Sequence, residues 1–168
     1  MNNISIQYLS RAETWLLISI LSYFLMNGAQ IFETLVIVPK WTASPPDSFQ
    51  ILKGKYALDF KTFWIIAHSL HEITFIAAII FCWRIDFARN WLLILFAIHF
   101  GVRVWTLAYF APNIIGFQKL INGDQSGAEK LTNPDRWRKL NYLRVALFIA
   151  VSLALIPLYL SVMQIKIE

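Results

Sequence analysis

The sequence predicts an all-α integral membrane protein, an up-down four-helix bundle. Three observations predict it. The chain has 168 residues, is 58% hydrophobic and 15% charged, and has a mean hydropathy of +0.55. A soluble domain of that length has too small a core to bury so much apolar surface. The apolar residues also gather into four runs, at about residues 15–38, 63–83, 91–110 and 140–162. Each is about the 20 residues an α-helix needs to cross roughly 30 Å of hydrocarbon, where backbone groups must be satisfied within the segment. Finally, Trp15, Trp41, Trp64, Trp83, Trp91 and Trp137 fall at or near the run ends, where an indole anchors at the interface, and Trp105 alone lies deeper.

In chain order, Met1 to Glu13 is a polar lead with one apolar patch. The first run, Trp15 to Val38, is too long for a signal-peptide core and no A-x-A-like site comes after it, so it is expected to be a retained span. Pro45, Pro46 and Asp47 mark a turn in the polar stretch Thr42 to Lys61. The second run, Phe63 to Trp83, leads through Arg84–Asn90 into the third, Trp91 to Phe110, which Pro112 closes. The longest polar connection, Asn113 to Lys139, contains GDQSG at Gly123 to Gly127. The fourth run, Leu140 to Val162, holds Pro157, which should bend its last turns. No internal repeat is evident, and the whole chain reads as a single four-span domain.

The formal charge is +5 and the pI about 9.5. Because the basic residues lie between apolar runs, membrane lipids rather than nucleic acid are the expected partner. Four spans place both termini on one side and the two longer loops on the other. The loop side carries Lys40, Lys53, Lys55, Lys61, Lys119, Lys130, Arg136, Arg138 and Lys139, against Arg11, Arg84, Arg89 and Lys166 on the terminus side. That excess favours cytoplasmic loops. The single cysteine, Cys82, allows no intrachain disulfide and is expected to pack as a small hydrophobe.

Ionisable residues inside spans are costly and point to function. Glu33, His68, His71, Glu72, His99, Arg103, Asn141 and Arg144 all fall within roughly 20 Å of the loop side at 1.5 Å per residue. His68 and Glu72 are four residues apart, as are His99 and Arg103; His68 and His71 are three apart, as are Asn141 and Arg144. Such pairs share a helix face. Asn27, Gln30 and Glu33 are likewise spaced by three. The expectation is a polar pocket inside the bundle, open towards the long loops. Pairing Glu33 and Glu72 with Arg103 and Arg144 would neutralise it. Trp105 and Tyr109 could line it, although packing explains them too. His68, His71 and His99 are the first candidate ligands for a transition metal or haem, yet His68-x2-His71-Glu72 is not H-E-x-x-H and lacks the second carboxylate–histidine pair of di-iron bundles. The bland readings are a structural ion pair for Glu33, snorkelling or capping for Asn141 and Arg144, and a hydrogen-bonded core role for His99.

Four local words occur together: NGAQIFETLVIVPKW from Asn27 to Trp41, FWIIAH from Phe63 to His68, TLAYFAPN from Thr106 to Asn113 and WRKLNYLR from Trp137 to Arg144. In these the chain resembles the anthrone-oxygenase-like (DUF1772) family of small four-helix membrane proteins, over nearly its whole length. The resemblance implies a four-span bundle, and in some fungal members a likeness to oxygenases that convert anthrones to anthraquinones. A bacterial inner-membrane location is the corresponding expectation. Glu33, His68, Asn141 and Arg144 fall within the shared words, whereas His71, Glu72, His99 and Arg103 do not. No catalytic residue carries over.

Two classes of function remain open. In the first, an oxygenase-like enzyme deprotonates a C–H beside a carbonyl on a hydrophobic, flat aromatic molecule of polyketide type, and the carbanion reacts with O2. Such chemistry needs a base and an oxyanion stabiliser but no obligatory cofactor. His68 or His71 would be the base, oriented by Glu72 or Glu33, with Arg103, Arg144 and Asn141 on the oxyanion and Asn27, Trp105 and Tyr109 against the substrate. In the second, the protein is a non-catalytic lipid or small-molecule binder, or an accessory subunit, and the polar cluster fixes helix register. A transporter is disfavoured by the absence of paired broken helices, unless the protein is a homo-oligomer.

Overall fold

The computed structural model describes residues 4–52, 60–120 and 133–167. Lys53, Lys55, Lys130 and the GDQSG stretch lie outside the described residues. Among the described residues, four helices are long and apolar enough to cross a membrane: α1, Ile6–Trp41; α2, Phe60–Phe81; α3, Asp86–Leu120; and α4, Pro134–Ile167. The protein is an all-α membrane bundle. Its most exposed side chains along the spans are apolar, such as Leu25, Ile73 and Leu107, as lipid-facing surfaces require.

The helices run beyond the apolar runs, because caps and polar turns extend them. Ser5 caps α1 by accepting from the Tyr8 amide, a full two turns before Trp15. Asn133 caps α4, its side chain accepting from the Asp135 amide, with Pro134 in the first turn. Pro112, expected to close the third span, does not end its helix, and neither does Pro39 in α1. In α1 the Val38 amide bonds back five residues to the Glu33 carbonyl, and Pro39 is next. In α3 the Ala111 amide bonds back five residues to Thr106, and Pro112 is next. A widened π turn gives the proline ring room against the preceding carbonyls, so the helix continues where a regular α-helix would clash. α4 likewise runs on through Pro157.

α1 packs along α2 and α4, and α3 packs chiefly on α4; α2 and α3 meet less extensively than any of these pairs, although only the short turn Cys82–Ile85 separates them. The terminus half of the bundle is filled by an aliphatic core including Leu16, Leu92, Leu155 and Val162. The loop half is filled by Trp41, Phe49, Phe110, Phe117 and Trp137, with Phe49 supplied by the 3-10 turn Asp47–Leu52. Trp41 and Trp137 are therefore core residues, at 4.9 Å from one another, and not interfacial anchors. Trp64 also points inward, whereas Trp83 and Trp91 are exposed near the α2–α3 turn as expected.

Candidate polar site between the two cores

Between these cores lies a polar layer built by all four helices. Along α1 the residues Ser19, Tyr23, Asn27, Gln30 and Thr34 succeed one another at steps of four, four, three and four, which keeps them on one buried face. Tyr23 is the centre. Its ring lies 4.1 Å from His71 and meets His99 edge-on at 5.4 Å and Phe148 at 6.4 Å. Its hydroxyl is 2.9 Å from His99 Nδ1. The other His99 nitrogen, Nε2, is 3.9 Å from Glu72 Oε1, and the same oxygen accepts from Arg103 Nε at 2.9 Å. With Tyr23 donating to Nδ1, the His99 proton sits on Nε2, facing Glu72. A chain of ionisable groups thus runs from the bundle centre, where Tyr23 and His99 are fully buried, to Glu72 and Arg103, whose side chains are 33% and 17% exposed. His71 is held beside it, Nδ1 lying 3.3 Å from Ser22 Oγ, which pairs with Thr74 Oγ1 at 2.8 Å.

One turn towards the loops a second group forms around the π turns. The Asn141 amide donates to Thr34 Oγ1 at 2.9 Å, and Arg144 donates to Asn141 Oδ1 at 2.6 Å. The Arg144 guanidinium lies over the Phe110 ring at 4.5 Å, a cation–π contact. Trp137 Nε1 donates to the Phe110 carbonyl at 3.3 Å. Glu33 lies near enough to the Trp64 indole and to Arg144 to feel both, but no ion pair joins Glu33 and Arg144 among the described residues. His68 bridges the two groups, its ring 5.3 Å from Trp64 and 6.1 Å from Phe148.

No protein-family model matches the chain, and neither does any curated protein or solved structure. The functional reading therefore starts from the geometry. It brings together His71, Glu72, His99 and Arg103 as one set and Glu33, Asn141 and Arg144 as another. Of the two expected ion pairs, Glu72 with Arg103 forms, whereas Glu33 with Arg144 does not form among the described residues, and Arg144 donates to Asn141 instead. Asn27 sits apart, donating to Ser152 Oγ at 2.8 Å and tying α1 to α4. Trp105 and Tyr109 pack on Phe110 at 5.0 Å each, at the rim of the aromatic core and away from Tyr23. Among the described residues no three His, Cys, Asp or Glu side chains are grouped to hold a metal ion. The ligand set proposed from His68, His71 and His99 gains no support from their placement, since His71 and His99 turn Nδ1 to Ser22 and Tyr23. The expected opening towards the loops is also corrected: Trp41, Phe49, Phe117 and Trp137, each at most 2% exposed, fill that end.

Sequence reasoning missed Tyr23, Ser22, Thr34 and Thr74. The signal was present in the polar stripe of α1, where Tyr23 continues the line of Asn27 and Gln30. Seven buried polar atoms have no protein partner among the described residues, including His68 Nδ1, His71 Nε2, Gln30 Oε1 and Arg144 Nε. Such atoms mark hydrogen-bonding capacity that a ligand or water can take up.

Proposed function

We propose that the protein is a membrane-embedded, oxygenase-like enzyme that uses acid–base chemistry on a hydrophobic small molecule with an acidic C–H beside a carbonyl. The observation that carries this reading is the Tyr23–His99–Glu72–Arg103 chain, in which a carboxylate at the edge of the layer is backed by a buried imidazole and phenol. Glu72 takes the substrate proton, and the His99 Nε2–H that faces it from 3.9 Å supports the carboxylate before the transfer. Arg103, with Arg144 deeper, holds the enolate oxygen, a role suited to fixed donors in a water-poor site. The carbanion adds O2, and loss of water leaves a new carbonyl, so that CH2 + O2 gives C=O + H2O. His68 and His71 are the neighbouring bases. The resemblance to the anthrone-oxygenase-like family supports the same class, and the chemistry needs no obligatory cofactor. The test is turnover of an aromatic CH2 ketone by full-length protein in detergent or nanodiscs. Glu72→Gln and His99→Ala should each lower turnover by about 10²-fold or more while the helical spectrum is kept. Undiminished turnover in both would remove this chain from the mechanism.

A second reading is favoured by the loop-side group, whose members are tied to one another across helices. There the polar layer is glue that sets helix register in a non-catalytic binder or accessory subunit. Replacing Glu33 and Arg144 together by leucine should then leave stability equal or better. We further propose that both longer connections lie in the cytoplasm, on their Lys and Arg excess, and that the membrane is a bacterial inner membrane, on the family resemblance alone.

A further inference from the structure

We infer that the α2–α3 seam is a lateral binding site, open to the hydrocarbon, for an apolar molecule presenting a neutral carbonyl oxygen. This deepens the enzymatic reading by naming the substrate's route and the group it offers, and it rests on that reading only for the chemistry after binding. Both ends of the bundle are filled, one by the aliphatic core and the other by the aromatic core, so neither gives an axial path to the central layer. That layer instead reaches the surface through Glu72 and Arg103, near the middle of α2 and α3, at a seam less extensive than those of α1 with α2, α1 with α4 and α3 with α4. At that depth the surrounding medium is lipid, and the arriving molecule must be soluble in it.

The chemistry of the seam narrows the occupant. Arg103 engages Glu72 through Nε, and its two η nitrogens make no hydrogen bond to any described residue. Hydrocarbon offers them no acceptor, so an acceptor oxygen on a bound molecule is the partner that relieves them. Glu72 already balances the guanidinium charge, which favours a neutral oxygen over an anion. Ile76, four residues after Glu72, and Phe100, three before Arg103, share the faces of the pair and are exposed, giving an apolar wall on each helix.

The test uses benzophenone, an apolar molecule with one carbonyl that inserts on irradiation into C–H bonds beside its oxygen. Full-length protein in lipid nanodiscs is irradiated with it and the adducts are mapped by peptide mass spectrometry. Adducts should concentrate around Ile76 and Phe100. They should fall about tenfold in Arg103→Leu, the effect of one hydrogen bond to a charged group, and persist in part in Arg103→Lys. Competition by excess unlabelled dicyclohexyl ketone in the wild-type protein gives the same answer without a variant. An even spread over all lipid-facing residues, or adducts at Trp41 and Phe49, would each overturn the proposal. Seam labelling without turnover of any ketone leaves the site standing and removes the enzymatic reading. Turnover without seam labelling removes the site and leaves the enzyme.

Discussion

Tyr23 touches side chains from the other three helices, and its hydroxyl has one partner, His99 Nδ1. Tyr23→Phe keeps the ring packing and deletes that bond. We expect a loss of about 1–3 kcal/mol, because a buried imidazole nitrogen loses its partner, together with a turnover loss of about 10²-fold. Thermal unfolding in detergent and the ketone assay read the two separately. The Glu72–Arg103 pair makes a different prediction. Replacing either alone by leucine leaves a charge without its counter-ion at membrane depth, at a cost of about 3 kcal/mol. Replacing both should return stability close to that of the starting protein while turnover stays lost. A double variant as unstable as the sum of the singles would mean that the two charges are not coupled.

The two π turns show how an element absorbs a residue that would end it. Glu33–Ile37 and Thr106–Phe110 each end two residues before a proline. Each also carries a group that α4 reads, since Asn141 bonds Thr34 and Trp137 bonds the Phe110 carbonyl. Deleting Leu107, an exposed residue within the second turn, should collapse it to ordinary α-helix. The Pro112 ring then meets the preceding carbonyls, and we expect a loss of about 3 kcal/mol. Combining the deletion with Pro112→Ala should recover stability to within about 1 kcal/mol. Urea or thermal unfolding of both variants decides it, and no recovery would show that the wide turn does something other than accommodate the proline.

On the scale of the molecule, the polar layer sits between an aliphatic half and an aromatic half, and the chain ends lie on the side opposite the longer connections. Ser5→Cys and Asp47→Cys should therefore react with a membrane-impermeant maleimide from opposite faces of sealed vesicles. Native Cys82 is fully buried and should add no background. Labelling of both sites from one face would refute the four-span topology. Trp41→Ala should open a cavity in the aromatic half and cost about 3–5 kcal/mol. Turnover measured well below the melting temperature should change little, because the route to the site does not pass that end.

The amino-acid sequence alone determined the fold class, the four spans and the concentration of ionisable residues in part of the bundle. It could do so because hydrocarbon accepts so few solutions: a long apolar run must be helical, and a charge within it must find company. The choice of company was legible only in three dimensions. Spacing along one helix shows that His99 and Arg103 share a face but is silent on which neighbour that face meets. Glu72 met Arg103 while Arg144 met Asn141 and the Phe110 ring, and Tyr23, one more aromatic in an apolar run by composition, became the hub. Helix rotation about its axis decides those pairings, and that rotation is set by packing between helices rather than by any single stretch of chain.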